Sequence, residues 1–472
     1  MPWTFWGPVT NAANSSGGFR LSGGGWIGFE SSANDFTGGL EVEGVVENGE
    51  IFGGVTVRNA GAIPTNTAFT VRNANVEVLA GSAERPLPKL TAESDVKVVA
   101  ATNVVDMRIK ALEKVGPGTV TLPQVVRIEG ATTVTSGTVR ISGEALGKPG
   151  LSWYRSSKRI SDYDQPIPRG AYQGVDANGA SYAYQNWPEV ANWNDAYYYT
   201  GYIKVPGEEG SDVTINFISS MARVCRVDIG GQTAIKCWDN WDNLSNTENG
   251  YTRFSVGPQI TVKAGWQPIY ICMANYYDGT RGPQANTGRG WVADFGIGVD
   301  WQGRREAVPA NYAKLQDDGT GSFLRAGAGK IFAGETVFSN GTSLAMDGTT
   351  CAAPVLVSSL KGTPTITGGM VMLTDSWTID FADVAAGRVL TVGDNARFGV
   401  AEDVVVRFAG NKISTLPGGQ PRRYPLVRTT GSGIVDSFSD VSSHGYGWRV
   451  ERAAGGNGYD LVHRSGLIVI VP

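Results

Sequence analysis

The stretches Gly54-Val-Thr-Val-Arg58 and Ala68-Phe-Thr-Val-Arg72 alternate apolar side chains with small or polar ones. Alternation with a period of two is typical of a half-buried β-strand. Similar runs recur about every ten residues before and after them, separated by Gly, Asn or Asp. Quasi-periodic short strands with such corners favour a β-solenoid, in which each rung pairs with the next. A β-sandwich built from hairpins is the alternative, although Asn-Gly hairpin signals between equal strands are scarce.

The composition agrees with many short strands joined by tight turns. The 472 residues include 64 Gly, 41% apolar residues and 18% charged residues. This apolar fraction is enough to form a core, which excludes general disorder. The net charge is −4, and no Lys/Arg cluster stands out, so we expect no nucleic-acid partner.

Three regions differ in texture, and we predict a domain for each: residues 1–148, 149–303 and 304–472. The first and third are rich in Gly, Val, Thr and Asn, and the middle region is rich in aromatic residues. A chain of this length normally forms more than one domain. We therefore predict a solenoid, an inserted domain, and a continuation of the solenoid with C-terminal strands.

Motifs of a known repeat lie in the first region. They are Asn34-Asp-Phe-Thr-Gly-Gly-Leu-Glu-Val42, Gly61-Ala-Ile-Pro-Thr-Asn-Thr-Ala-Phe-Thr-Val71, Leu112-Glu-Lys-Val-Gly-Pro-Gly-Thr-Val-Thr-Leu122 and Thr133-Val-Thr-Ser-Gly-Thr-Val-Arg-Ile141. In this order they resemble the passenger-associated (autotransporter-associated) β-strand repeat, and residues 329–344 fit it more loosely. The resemblance implies a right-handed parallel β-helix on a secreted bacterial surface protein.

The middle region resembles a PA14-like β-sandwich. The resemblance is carried by the strand-like runs 196–205, 213–217 and 262–271, by Asp228-Ile-Gly-Gly231 and by the Trp-ending run 291–301. It implies an antiparallel, sugar-binding module, and a generic carbohydrate-binding jelly roll is the alternative. The predicted fold class is therefore all-β: right-handed parallel β-helix regions that flank an antiparallel β-sandwich domain.

Two of the four cysteines, Cys225 and Cys237, flank a short segment that contains Gly230-Gly231-Gln232. If these three residues form the turn of a hairpin, the two cysteines lie opposite each other. A disulfide is then geometrically allowed and would indicate an oxidising compartment. Two buried thiols are the equal alternative.

Two loops of the middle region are the best candidates for ligand binding. The candidate residues are Trp238, Asp239, Trp241, Asp242, Asn243, Tyr276, Tyr277, Asp278 and Arg281. Aromatic faces stack on the apolar faces of sugars, while Asp, Asn and Arg hydrogen-bond their hydroxyls. Asp239 and Asp242 could equally hold Ca²⁺, the one cofactor that the sequence suggests. In the alternative interpretation the tryptophans cap the core and the polar residues are solvated.

Residues for catalysis are scarce, and we expect no enzyme. The chain has only two histidines, His444 and His463, too few for a His-based triad or a His-rich metal site. Asp375, Asp380 and Asp383 are close in sequence, but turn roles suit them equally well. No acidic cluster recurs on one predicted face, as a polysaccharide-cleaving carboxylate pair would require.

Three functions remain open. The first is an extracellular or cell-surface stalk or adhesin that presents the sandwich to a glycan or a surface protein. The second is a subunit of a filament, surface layer or phage appendage that self-associates through the solenoid ends, where Leu467-Ile-Val-Ile-Val471 is an apolar strand. The third is a polysaccharide-active enzyme. No apolar run reaches transmembrane length and no signal peptide is visible at the N-terminus.

Overall fold

The computed structural model describes residues 3–11, 16–59, 61–80, 85–101, 104, 106–142, 147–156, 170–176, 196–219, 224–238, 245–246, 253–274, 297–305, 311–327, 331–347, 354–401, 404–411, 422–436 and 448–463. The chain divides into two compact units. The parallel unit comprises Met1–Ala145, Ala328–Thr349 and Pro354–Pro472, and the antiparallel unit comprises Leu146–Gly327 and Thr350–Ala353. The predicted all-β class is confirmed, since the one helix in the described part is a single short α1.

The strands are as follows. The parallel unit begins with β1 (Trp3–Phe5), β2 (Phe19–Ser22), β3 (Trp26–Phe29), β4 (Leu40–Glu43), β5 (Val45–Glu47), β6 (Glu50–Phe52), β7 (Gly54–Val57), β8 (Phe69–Arg72), β9 (Ala74–Val78), β10 (Leu90–Ala92), β11 (Val96–Ala100), β12 (Met107–Ile109), β13 (Leu112–Lys114), β14 (Thr119–Pro123), β15 (Val126–Ile128), β16 (Thr132–Val134) and β17 (Thr138–Ser142). The antiparallel unit contains β18 (Leu151–Ser156), β19 (Ala171–Asp176), β20 (Ala196–Val205), β21 (Asp212–Ser219), β22 (Val224–Ile229), β23 (Gln232–Trp238), β24 (Ser245–Asn246), β25 (Arg253–Val256), β26 (Ile260–Lys263), β27 (Gly265–Ala274), β28 (Ile297–Asp300), β29 (Ala313–Lys314) and β30 (Leu324–Ala326). The parallel unit resumes with β31 (Phe332–Phe338), β32 (Ser343–Met346), β33 (Val355–Gly362), β34 (Thr365–Thr367), β35 (Met370–Asp380), α1 (Phe381–Ala385), β36 (Leu390–Val392), β37 (Arg397–Val400), β38 (Val405–Ala409), β39 (Arg422–Thr429), β40 (Ile434–Val435), β41 (Trp448–Arg452) and β42 (Gly458–His463).

Two large sheets contain the strands of the parallel unit, except β5 and β6, which form a separate antiparallel pair. One has 13 strands in the order β1-β3-β7-β9-β11-β14-β17-β32-β34-β36-β39-β42-β41, and the other has 14, with the main path β2-β4-β8-β10-β13-β16-β31-β33-β35-β37-β40. All pairs are parallel except β39–β42 and β41–β42 at the end of the first sheet. Successive strands of the chain thus pass mostly from one sheet to the other, and each pairs with a strand of the next turn.

Stacked apolar side chains hold this unit together. In one row Phe69 pairs with Leu90 and Leu90 pairs with Leu112, and all three are buried. They belong to one continuous core that takes side chains from both sheets. Each fully buried side chain of this size stabilises the fold by about 1.5–3 kcal/mol, so the repeated alternation in the sequence becomes a repeated core.

One corner of the parallel unit explains the motif 112–122 physically. Lys114 is fully buried, and its ammonium donates to the carbonyl oxygens of Gly116 and, at 2.9 Å, of Pro117. Gly118 has φ 82°, and a Cβ there would lie 2.6 Å from the carboxylate of Asp95. That carboxylate accepts the backbone N–H of Thr119 at 2.6 Å. The lysine and the glycines of the motif therefore build the corner between β13 and β14.

The strands on either side of the antiparallel unit pair directly. β16 pairs with β31 through Thr132–Thr336, and β17 pairs with β32 through Val139–Leu344, both in parallel. Within the antiparallel unit the two ends of its main segment also meet, because the N–H of Gly147 donates to Ala326 O at 3.0 Å. The antiparallel unit is therefore an insertion between two neighbouring turns.

Two antiparallel sheets form the inserted unit. One follows the order β19-β18-β20-β27-β22-β23 with β30 paired to β20, and the other β24-β25-β21-β28-β29 with β26 paired to β21. Side chains of both sheets, among them Tyr199, Ile271 and Phe217, share one apolar core. The predicted antiparallel arrangement is thus observed for the middle region.

The inserted unit extends past the predicted boundary at residue 303. β29 and β30 pair with strands of this unit, and buried Asp317 fixes the turn before β30. One of its carboxylate oxygens accepts the N–H of Gly321 at 2.7 Å and the other that of Leu324 at 2.9 Å. The sequence did not reveal this, because strands of two or three residues carry almost no periodicity.

Candidate functional site

Most of the predicted ligand-binding residues lie outside the described residues. These are Asp239, Trp241, Asp242, Asn243, Tyr276, Tyr277, Asp278 and Arg281. Trp238 is the last residue of β23, where it pairs with Val224. The two loops, and calcium binding by Asp239 and Asp242, therefore stay predictions.

The predicted hairpin is present, and its register is the expected one. β22 and β23 are antiparallel, Cys225 pairs with Cys237, and Gly230 and Gly231 form the turn with φ of 55° and 79°. Cys225 is buried. The register thus matches the geometry that the disulfide hypothesis requires, and the disulfide itself stays a prediction.

Two of the three aspartates considered for catalysis have structural roles. Asp380 is the N-cap of α1 and accepts the N–H of Ala382 at 2.9 Å. Asp383 accepts from Arg388 at 2.9 Å. In the described part of the chain, no group of three or more His, Cys, Asp or Glu residues is arranged to hold a metal ion. Nor does any helix there have the length and apolar character needed to span a membrane.

A different candidate emerges from the sheet that contains β18, β20, β27 and β22. One of its faces belongs to the apolar core. The other, which we call the polar sheet face, carries Ser152, Tyr154, Tyr198, Thr200, Tyr270, Cys272, Arg226 and Asp228. Strand pairing arranges them in two rows, Ser152–Thr200–Tyr270–Asp228 and Tyr154–Tyr198–Cys272–Arg226.

The polar sheet face is buried, which is unusual for the outer side of a two-layer sheet structure. Ser152, Tyr154 and Thr200 are each at most 1% exposed, and Tyr270 is 2% exposed. Antiparallel sheets commonly pack one face on a core and leave the other in water. Here both faces of the sheet are removed from water, although one of them is rich in hydroxyl groups.

At one end of this face the charges are compensated. Arg226 Nε donates to Asp228 Oδ2 at 2.7 Å, and Thr233 Oγ1 donates to Asp228 Oδ1 at 2.6 Å. Arg226 is only 8% exposed, so a partner for its guanidinium is required. The ion pair leaves this end without net charge.

At the other end three hydroxyl groups are unpartnered. Ser152 Oγ, Tyr154 OH and Thr200 Oγ1 are buried and make no hydrogen bond. Burial raises the pKa of Tyr154, and the interaction with the neighbouring Thr200 hydroxyl opposes this rise only in part. Burial likewise raises the pKa of Tyr270. These tyrosines are therefore neutral and can donate a hydrogen bond.

This face has no direct signal in the amino-acid sequence. The run Ala196-Tyr-Tyr-Tyr-Thr-Gly-Tyr202 has aromatic residues at odd and even positions alike, so its alternation is hidden. Ser152 and Thr200 become neighbours only through the pairing of β18 with β20. Every second residue of a strand faces the same side of its sheet. Ser, Thr and Tyr at every second position of adjacent predicted strands could therefore have identified the polar sheet face.

Comparison with known proteins assigns no family. No protein-family model and no curated protein matches the chain. Among solved structures it is similar to an anti-sigma factor domain-containing protein from Clostridium clariflavum (16% identity, TM-score 0.21, 36% of this chain and 47% of that one). It is also similar to the PA14 domain of the antifreeze protein MpAFP (13% identity, TM-score 0.22, 38% of this chain and 90% of that one). A β-glucosidase from Kluyveromyces marxianus matches at 13% identity and TM-score 0.21, over 42% of this chain and 26% of that one.

These similarities are too low to transfer a fold or an activity. The chain spans about half the length of the anti-sigma factor domain-containing proteins it matches, 49% and 47%. What the molecule does must therefore be argued from its own residues.

Proposed function

We propose that the chain is an extracellular or surface-attached structural protein that displays a glycan-binding module. In this proposal the two parallel sheets are faces of one right-handed β-helix, and the inserted unit is a β-sandwich. The observation that carries it is the direct pairing of β16 with β31 and of β17 with β32. An uninterrupted stack of turns that carries an insertion suits a stalk that presents a separate module.

The sequence motifs of the passenger-associated repeat support the β-helix part of the proposal. At the corner between β13 and β14, the Lys of these motifs donates to backbone carbonyls and the Gly adopts a positive φ, so both residues have a structural role. Support for glycan binding comes from the inserted unit, which combines aromatic rings with hydroxyl groups on one sheet face. Rings stack on sugar faces and hydroxyls pair with sugar hydroxyls.

A glycan array probed with the full chain tests the proposal. We expect retention of at least one glycan by the full chain, and loss of that retention in a variant that lacks residues 147–326. Trp241→Ala then tests whether the predicted loop contributes. Absence of binding to every glycan on the array would overturn the glycan-binding function.

Self-assembly is the second candidate, and the N-terminal edge favours it. β1 is the first strand of the 13-stranded sheet, with a partner on one side only among the described strands. Trp3 is 82% exposed and Trp6 71% exposed. An uncovered strand edge with large apolar side chains invites pairing with another chain. Light scattering across a concentration series tests this, and a strict monomer excludes it.

We further propose that the chain is not an enzyme. The support is the structural use of Asp380 and Asp383 as a helix cap and an ion-pair partner. The full chain incubated with plant and host polysaccharides should release no product, as judged by a reducing-end assay. Release of oligosaccharides would contradict this part of the proposal.

A further inference from the structure

We propose that the N-terminal end of the parallel unit binds the same end of a second copy of this chain, with β1 of each copy beside β2 of the other. This inference rests on the self-assembly candidate and adds to it the end that binds, the partner and the symmetry. β1 and β2 are the first strands of the two large sheets, and each pairs on one side only among the described strands. Such open edges are ready to pair with another chain.

The backbone groups on the two open edges match each other. Phe5 O accepts a backbone N–H from the residue after β3 at 3.1 Å, so the N–H and C=O of Thr4 point outward. The N–H of Phe19 donates at 2.9 Å to the carbonyl oxygen before β4, so the N–H and C=O of Arg20 also point outward. Thr4 of one copy and Arg20 of the other can therefore exchange two hydrogen bonds, as opposite residues of antiparallel strands do.

The same register brings apolar side chains together. Successive side chains of a strand alternate between its faces, so Trp3 of one copy lies opposite Leu21 of the other. Phe5 likewise lies opposite Phe19. Trp3 is 82% exposed, the other three are only partly buried, and no charged residue precedes Arg20 in the sequence. Binding of a second copy therefore removes apolar surface from water, which favours association.

Twofold symmetry follows from the position of the two strands. β1 and β2 meet across the core, where the ring centroids of Phe5 and Phe19 are 5.3 Å apart. A twofold rotation that exchanges the two sheets places both β1 strands against β2 strands at once, so both sheets continue from one copy into the other. A contact of this kind is complete at the dimer and leaves no further edge at this end.

The opposite end of the parallel unit is a poorer partner. Beyond β39 the 13-stranded sheet continues with β42 and β41, whereas the other sheet ends at β40, so among the described strands a stack of β1 on β41 would leave two positions of the other sheet empty. β41 also carries Arg449, Glu451 and Arg452, and charges on an edge strand oppose pairing. β1 has no charge to complement them.

Thr4→Pro in the full chain tests the backbone pairing. It removes an N–H that points outward, a position at which proline is tolerated on an edge strand. Sedimentation velocity over a concentration series should show a monomer–dimer equilibrium for the parent and a dissociation constant raised about 10–100-fold in the variant, because each dimer loses the bond twice. Val450→Pro on β41 is the matched control and should leave this constant unchanged. The N–H of Val450 also points outward, since that of Ala453 donates to Gly458 O at 3.0 Å.

Trp3→Asp tests the side chains, with Ile434→Asp on the edge strand β40 as its control. These residues are 82% and 50% exposed, so neither is part of the packed core, and only Trp3→Asp should abolish the dimer.

A variant with both Thr4→Cys and Arg20→Cys tests the register. Opposite Cα atoms in such a pair are about 5.5 Å apart, within the range of a disulfide. Within one chain the two side chains lie on the outer faces of different sheets and cannot meet. Oxidation should therefore give a covalent dimer in which peptide mapping finds position 4 linked to position 20.

The outcomes separate this inference from self-assembly in general. A dimer linked from position 4 to position 4 would show that β1 pairs with β1, and would overturn the inference. Growth beyond the dimer, or dissociation caused by Val450→Pro or Ile434→Asp, would indicate head-to-tail assembly and overturn the inference while self-assembly stands. A parent that stays monomeric at every concentration would overturn both. The glycan array reports on the displayed module independently of these measurements.

Discussion

Lys114 is a buried charged residue whose role can be tested by two substitutions. Lys114→Ala removes both the aliphatic stem, which is packed in the core, and the donor to the carbonyls of Gly116 and Pro117. We expect it to lower the free energy of unfolding by about 2–4 kcal/mol. Lys114→Met keeps most of the volume and should cost about 1 kcal/mol. Urea unfolding followed by circular dichroism measures both.

The control for this comparison is Lys97, an exposed lysine on β11 of the 13-stranded sheet. Lys97→Ala and Lys97→Met should each stay within about 0.5 kcal/mol of the parent, as surface substitutions usually do. Equal losses at both positions would mean that Lys114 acts only through net charge and not as the corner donor.

Because three tyrosines are buried, we expect the free energy of unfolding to fall at alkaline pH. Burial raises the pKa of Tyr154, Tyr199 and Tyr270 above the ordinary value of 10.0. The folded state therefore retains protons that the unfolded chain releases above pH 10, so this contribution is complete below pH 10 and falls as the pH rises. Parallel pH titrations of tyrosinate absorbance and circular dichroism should show these tyrosines ionising only as the inserted unit unfolds.

Substitution of one of them gives the control for the alkaline experiment. Tyr154→Phe removes an ionising group from the buried set, so unfolding should begin at a higher pH than in the parent. Ionisation of the full set of tyrosines just above pH 10 with the folded signal intact would contradict the expected burial.

At the scale of elements, strands with clear alternation could be predicted and strands without it could not. The run 68–72 became β8 (Phe69–Arg72), and the run 196–205 became β20. Which residues of β20 face the core and which lie on the polar sheet face could not be predicted, because tyrosine suits core and polar positions equally. The end of the inserted unit was missed because the turn before β30 depends on backbone N–H groups bonded to Asp317, which leave no periodic pattern.

The β22–β23 hairpin carries a redox prediction. Cys225 and Cys237 are direct cross-strand partners, so oxidation of the full chain by glutathione disulfide should link these two. Cys272 pairs in register with Arg226 and lies on the polar sheet face, whereas Cys225 belongs to the core. Peptide mapping without reductant should therefore find a Cys225–Cys237 disulfide. A Cys225–Cys272 disulfide would contradict the assignment of these two side chains to opposite faces of the sheet.

At the scale of the whole molecule, the sequence predicted the division into two textures better than the connection between them. The Gly- and Thr-rich regions 1–148 and 304–472 looked alike, but sequence alone did not decide whether they form one stack. The pairing of β17 with β32 joins them, and such long-range parallel pairing leaves no local signal. Loop-closure entropy grows only slowly with length, so a long insertion at this junction is thermodynamically tolerable.

The insertion can therefore be removed, and this is the strongest test of the architecture. Within the inserted unit the N–H of Ala326 donates to Lys148 O at 2.8 Å, and that of Gly147 to Ala326 O at 3.0 Å, so a short Gly-Ser linker can replace residues 147–326. We expect the shortened chain to keep a β-type circular dichroism spectrum and a cooperative melt, because β16–β31 and β17–β32 pair without contributions from the insert. A matched variant with Val139→Asp, which places a charge in the core between β14 and β32, should lose that melt. If the shortened chain itself aggregates or melts without cooperativity, the parallel unit depends on its insert, and the description of the insert as a separately displayed module would be wrong.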